Sequence, residues 1–188
     1  MEIDHVFCFV DPQGDWASRL EAVGLSLDAG MHHDGQGTRN RRCAFDGTYL
    51  ELLWIDDPAE AAAHRLRFDL RATTCPFGVG LRGSLPDKTG WSAYSLPGID
   101  MWIYETAPEQ PFVFAFDLDP ERVAQIKRRI GAANPGPKKT LAAVRMQLPL
   151  EIPAVLAPFV EWRRGPAKLE LVVGVQAEIT PQLALVAG

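Results

Sequence analysis

A chain of 188 residues is long enough to bury a substantial core within one mid-sized fold. Its 47% hydrophobic and 23% charged residues exclude a disordered chain, and a formal net charge of −5 gives no electrostatic basis for nucleic-acid binding. No apolar run is long enough for a membrane-spanning helix. The start, Met-Glu-Ile-Asp-His, has neither the basic segment nor the apolar core of a signal peptide, and Cys8, Cys43 and Cys75 show no CxxC spacing. A reduced, cytoplasmic protein is the expectation.

In chain order, residues 3–10 are rich in Val, Phe and Ile and predict a strand. Asp15 is placed to cap a short helix in which Trp16, Leu20 and Val23 recur at helical spacing, with Gly24 as its stop. Residues 25–27, 42–45 and 49–55 read as short strands, the last two joined by an Asp46-Gly47 hairpin turn. Asp57-Pro58-Ala59-Glu60 opens another helix, with proline in its first turn and glutamate three residues after the capping aspartate. Residues 69–110 alternate Gly, Pro and aromatic residues around two strands, 77–81 and 101–105, and read as a connection.

An internal echo organises the rest. Strand 5–9 followed by a helix and Gly24 is matched by strand 112–116, the cap Asp119-Pro120, a helix lined by Val123, Ile126 and Ile130, and Gly131. A strand over 141–148 follows, and then Phe159-Val160-Glu161-Trp162, which matches Tyr49-Leu50-Glu51-Leu52 in type. A repeated unit of strand, helix and three strands is predicted, because two such half-sheets bury a core that neither buries alone.

Tyr49, Glu51, Leu53 and Ile55 share one face of a strand, so a carboxylate stands in apolar company, where it is costly to bury without a partner. The candidates are a cation such as Arg41 across the hairpin, a hydrogen-bond network, a metal or water. Gly35, Gly37, Thr38 and Asn40 read either as a tight turn or as a loop whose backbone N–H and side chains hold a substrate anion. His32 and His33 read as solvated or loop-packing residues, and Trp54, Trp91, Trp102 and Trp162 as core or as aromatic walls of a cleft.

With Asp4-His5 on the first strand and Tyr49-Leu50-Glu51-Leu52 on the fourth, the first unit resembles a module of the vicinal oxygen chelate superfamily. That superfamily includes glyoxalase I, extradiol dioxygenases and bleomycin-resistance proteins. The stretch His32-x-x-Gly35-x-Gly37-Thr38-x-Asn40 ahead of it is similar to the glyoxalase-like branch. The resemblance implies one α+β glyoxalase-like domain over 1–188. Two βαβββ modules, 1–56 and 111–175, would form a curved mixed sheet around a cleft, joined by a helical and irregular connection, 57–110.

In that superfamily a divalent metal sits on His or Glu side chains from the first and fourth strands of each module. This nominates His5, Glu51 and Glu161 as ligands of Mn, Fe, Zn or Ni, while the place matching His5 is Phe112, which cannot ligate. Glu51 and Glu161 would serve as ligands or as the base for a proton beside a carbonyl. Thr38, Asn40, Arg41 and Trp162 would hold the substrate. The implied activity is that of a metal-dependent lyase, isomerase or dioxygenase acting on a small oxygenated metabolite. The alternatives are a non-enzymatic small-molecule binder of the bleomycin-resistance kind and a homodimeric scaffold.

Overall fold

The first strand, β1 (Glu2–Phe9), turns His5, Phe7 and Phe9 to one face and Val6 and Cys8 to the other, and all five are buried. Such a strand must be covered on both sides, and its position in the fold follows from that. In the computed structural model, which describes residues 1–96, 99–132, 139–175, 178–179 and 183–186, β1 lies at the centre of an eight-stranded sheet.

After β1 come α1 (Trp16–Ala22), β2 (Met31–His33), β3 (Thr38–Ala44) and β4 (Tyr49–Ile55). β4 runs parallel to β1, with β3 and β2 added outside it as antiparallel strands. Helices α2 (Pro58–Ala63) and α3 (Phe68–Thr74) lead to β5 (Phe77–Gly83), β6 (Trp91–Leu96), β7 (Ile99–Tyr104) and β8 (Phe112–Asp117). The strand order is β2-β3-β4-β1-β5-β8-β7-β6. The two halves mirror one another: β1 and β5 meet antiparallel at the centre, and β8 is parallel to β5 as β4 is to β1. The expected α+β fold with a curved mixed sheet of paired modules is therefore present.

The limits of the second module differ from the expected 111–175. Strand β8 holds the fourth-strand place of the second half, and β5 holds the first. The second half-sheet is 77–117, inside the stretch that reads as a connection, and 84–90 stands where the first module has α1. The echo misleads because α4 (Pro120–Ala132), capped by Asp119 on the Arg122 N–H at 2.8 Å, follows a Phe-rich strand just as α1 does. Local pattern identifies a strand followed by a helix but not the strand's partner.

Beyond α4, β9 (Lys139–Leu148), β10 (Val160–Arg164), β11 (Lys168–Val175), β12 (Glu178–Ile179) and β13 (Leu183–Val186) form a second sheet. Val144, Met146, Leu148, Leu169 and Leu171 from that sheet join Val6, Cys8, Leu50, Leu52, Val79 and Leu81 in one core. The second sheet thus covers the outer face of the large sheet. The inner face, carrying His5, Phe7 and Phe9, is covered at one end by Phe68 of α3, whose ring lies 5.8 Å from that of Phe9 and 5.5 Å from that of Phe112.

On this inner face β5 contributes Gly78 and Gly80, leaving room for large neighbours. A Cβ on Gly78 would stand 2.1 Å from Cζ of Phe7 and 2.9 Å from the Phe112 carbonyl oxygen. Gly78→Ala should lower stability by about 1–3 kcal/mol through overpacking. Thermal unfolding checks this, and an unchanged midpoint would show that the Phe7 ring moves aside freely.

Candidate functional site

Strand alternation places His33, Thr38, Asn40, Arg42, Tyr49, Glu51 and His5 on the inner face. In cross-strand register His33 sits opposite Thr38, Arg42 opposite Glu51, and Tyr49 opposite His5. Asp4 would point outward in a regular strand. The register shifts between Ile3 and His5, and this bulge lets Asp4 reach the same side. Oδ2 of Asp4 accepts from Nδ1 of His5 at 2.7 Å, and its Oδ1 accepts from Nη1 of Arg82 at 2.9 Å. Arg82, buried on β5, also donates to Glu2 at 2.9 Å and to the Gly47 carbonyl.

Glu51 is the hub. Its Oε2 lies 3.4 Å from Nε2 of His5, and its Oε1 accepts a hydrogen bond from the Asn40 amide and stands 3.8 Å from Nε2 of His33. Asn40 uses its remaining capacity fully: the amide also reaches Nε2 of His33 at 3.3 Å, and Oδ1 accepts from the Met31 N–H at 2.9 Å. An amide N–H can only donate, so Nε2 of His33 presents a lone pair, and Nδ1–H donates to the Thr38 hydroxyl at 2.9 Å. The Tyr49 ring stacks on His5 at 4.4 Å, and Phe114 closes the other side at 5.2 Å.

The two imidazoles are driven in opposite directions. Burial pulls His5 down, but hydrogen bonds and charge from Asp4 and Glu51 outweigh it and lift His5 to about 9. Burial also lowers His33, and the more distant Glu51 charge does not reverse this. Burial pushes Glu51 upward, yet His5 and the Asn40 amide hold it below its ordinary value. At neutral pH a cation, a carboxylate and a neutral imidazole therefore lie side by side. His33, with 23% of its side chain exposed against 6% for His5, is the accessible member.

His5, Glu51, Thr38 and Asn40 meet, the last two from strand β3 rather than from the loop that the sequence suggests. Arg41 does not join them: it alternates to the outer face and donates to the carbonyls of Asp28 at 2.8 Å and Leu27 at 3.4 Å. Glu161 and Trp162 lie on β10 in the second sheet. Val160 enters the shared core, so Glu161 turns outward, 62% exposed and bonded to Nε of Arg145 at 2.6 Å. Trp162 packs against that core. The large sheet stands between both residues and the inner face. The Gly35 and Gly37 N–H groups do hold a carboxylate, but it is the protein's own Glu60, at 3.0 and 2.6 Å. His33, read from sequence as a loop residue, is the member that was missed. Its signal is its place opposite Thr38 across the Gly35–Gly37 turn, which puts it on the face of Asn40.

The sequence profile of the glyoxalase-like domain family matches residues 3–108. That span holds Asp4, His5, His33, Thr38, Asn40, Tyr49, Glu51 and Arg82. The chain belongs to the glyoxalase-like domain family. Among solved structures it is similar to a hypothetical protein from Staphylococcus aureus at 12% identity. That match covers 78% of this chain and 69% of the other, with a TM-score of 0.50. It is also similar to methylmalonyl-CoA epimerase from Streptomyces coelicolor in complex with 2-nitronate-propionyl-CoA, at 14% identity, 62% and 94% coverage and a TM-score of 0.45. Methylmalonyl-CoA epimerase from Mycobacterium tuberculosis is similar at 16% identity, 65% and 91% coverage and a TM-score of 0.40. No curated protein matches the sequence. The fold is that of the vicinal oxygen chelate superfamily.

For this glyoxalase-like chain the donor set does not fit the metal that the superfamily pattern implies. The first and fourth strands of the second half offer Gly78, Gly80, Phe112 and Phe114 to the inner face, and Glu161 is in the other sheet. Among the described residues no three His, Cys, Asp or Glu side chains are grouped to hold a metal ion.

The raised His5 value has a consequence for stability. A group near 6.5 unfolded and about 9 folded contributes stability that is complete below pH 6.5 and lost as pH rises through 9. The loss should be on the order of 1–3 kcal/mol for the wild type. Asp4→Asn or Glu51→Gln should flatten that alkaline limb. Chemical denaturation at pH 6 and pH 9.5 measures it, and a limb of equal depth in both variants would show that His5 is not the titrating group.

Proposed function

We propose that the inner face of the large sheet is the active site of an enzyme that moves a proton on a small oxygenated molecule, at a carbon beside a carbonyl. The observation that supports it is one buried carboxylate flanked by two imidazoles of opposed proton affinity. Pairs of titratable groups pushed apart in this way mark acid and base roles.

His33 is the base in this reading. Among the described residues its Nε2 lone pair accepts only the long Asn40 contact at 3.3 Å, which an incoming proton would displace, and it is the more accessible of the two imidazoles. Once protonated, it would face Glu51 as an ion pair, so the carboxylate stabilises the charge created by proton removal. His5 stays protonated between Asp4 and Glu51 and supplies a fixed positive charge toward an oxygen where negative charge develops. Thr38 and Asn40 set the direction of the His33 ring and are positioning residues. Among the described residues no helix is long and apolar enough to cross a membrane.

The test is solvent exchange. Wild-type protein in deuterium oxide, with a panel of 2-hydroxy, 2-oxo and 1,3-dicarbonyl acids, should exchange a C–H beside a carbonyl in at least one compound, read by proton NMR. His33→Gln and Glu51→Gln should each slow that exchange by at least 100-fold, a usual span for a lost general base. A silent panel, or exchange undiminished in both variants, contradicts the reading. A protein that binds a panel member without exchanging it is instead a sequestering binder.

A further inference from the structure

A cavity of about 480 Å³ lies between the inner face and α4, beside the histidine cluster. Its floor includes Asp4 and Tyr49, and its roof is one side of α4: Arg122, Ile126, Arg129 and Ile130, at the spacing that stacks side chains along a helix. Phe116, Leu118 and Leu27 add apolar wall, beside a polar margin of Ser26, Asp28 and Arg42. The Tyr49 ring, which stacks on His5, is the wall shared with the cluster.

The charge of this cavity is opposite to that of the protein. The chain as a whole carries −5, yet α4 holds Arg122, Lys127, Arg128 and Arg129 against a single Glu121. The acids in the lining are already neutralised. Asp4 is held by His5 and Arg82, and Asp28 is held by Arg42, whose Nε lies 2.8 Å from Oδ2. Lys127, outside the lining, is paired with Glu2 at 3.1 Å. The guanidinium groups of Arg122 and Arg129 have no carboxylate partner among the described residues. Two uncompensated planar cations beside the apolar wall formed by Leu27, Phe116, Leu118, Ile126 and Ile130 are suited to a ligand with an anionic end and an apolar body.

We infer that this cavity binds the acidic group of such a ligand, a carboxylate or sulfonate carried on an aliphatic or aromatic body, with Arg122 and Arg129 as the anion contacts. The inference deepens the active-site reading above, and rests on it only in placing the ligand's far end against Tyr49, next to His5. The roof comes from α4, beyond the residues matched by the family profile, so this ligand class is a property of the present chain rather than of the shared module.

Titration calorimetry with octanoate as the probe tests it on the full chain at low salt. Octanoate should bind, octanamide at least tenfold more weakly because it lacks the charge, and acetate more weakly still because it lacks the apolar body. The double variant Arg122→Gln/Arg129→Gln should lose at least tenfold in octanoate affinity while octanamide is unaffected, and 200 mM salt should weaken octanoate alone. His33→Gln and Glu51→Gln should keep octanoate binding even where they abolish exchange, so failure of the catalytic reading is told apart from failure of this one. Absence of octanoate binding, equal affinity for octanoate and octanamide, or an unchanged double variant would overturn the proposal.

Discussion

A carboxylate is buried in the middle of an apolar sheet, and everything around it answers that cost. Glu51 is 8% exposed on a strand whose neighbours are Leu50, Leu52 and Leu53. An uncompensated charge there would cost several kcal/mol. The compensation is assembled from three strands: the amide of Asn40 on β3, the imidazolium of His5 on β1 and, one bond further, Asp4 and Arg82 across the β1–β5 junction. Each partner is itself satisfied, so the network is complete from the Thr38 hydroxyl to Glu2.

This requirement explains several local irregularities together. The bulge at the start of β1 turns Asp4 toward His5, which a regular strand would forbid. Gly80 on β5 leaves space that the Phe114 and His5 rings take up; a Cβ there would lie 2.7 Å from Cζ of Phe114. Glu60, from a helix whose start is capped by Asp57, ties down the Gly35 and Gly37 N–H groups and so sets the turn that puts His33 opposite Thr38. The two half-sheets are alike in topology and unlike in content: the first carries the polar network, and the second offers Phe112, Phe114 and Phe116 at its fourth strand. One half carries the polar cluster and the other supplies an apolar wall, which strengthens the electrostatics of the first.

Much of the first half was legible from sequence because strand alternation is a local rule. The period of two puts Glu51 on one face with Tyr49, whereas Thr38 and Asn40, which read as a loop ahead of a strand over 42–45, reach that face because β3 begins at Thr38. Arg41 lies in β3 rather than ahead of it, and strand alternation then sends it to the opposite face. His33 was harder to see, since a strand of three residues carries almost no periodic signal. The second half-sheet was missed for a different reason. Phe-Gly-Val-Gly-Leu-Arg-Gly in β5 has a weak strand composition, and no helix follows it to mark a module, whereas β8 and α4 imitate the β1–α1 start closely. Which strands pair is a non-local outcome, and Glu161 was assigned to the cleft only through that false equivalence.

The centre of the site is a pair of histidines in opposed charge states beside one carboxylate. Nitrogen NMR of protein labelled in its four histidines, with His5 and His33 identified by single His→Gln variants, reads both states at pH 7. His5 should show two protonated ring nitrogens, and His33 a single proton, on Nδ1, with Nε2 bare. A neutral His5, or a His33 that is doubly protonated or carries its proton on Nε2, would contradict the account.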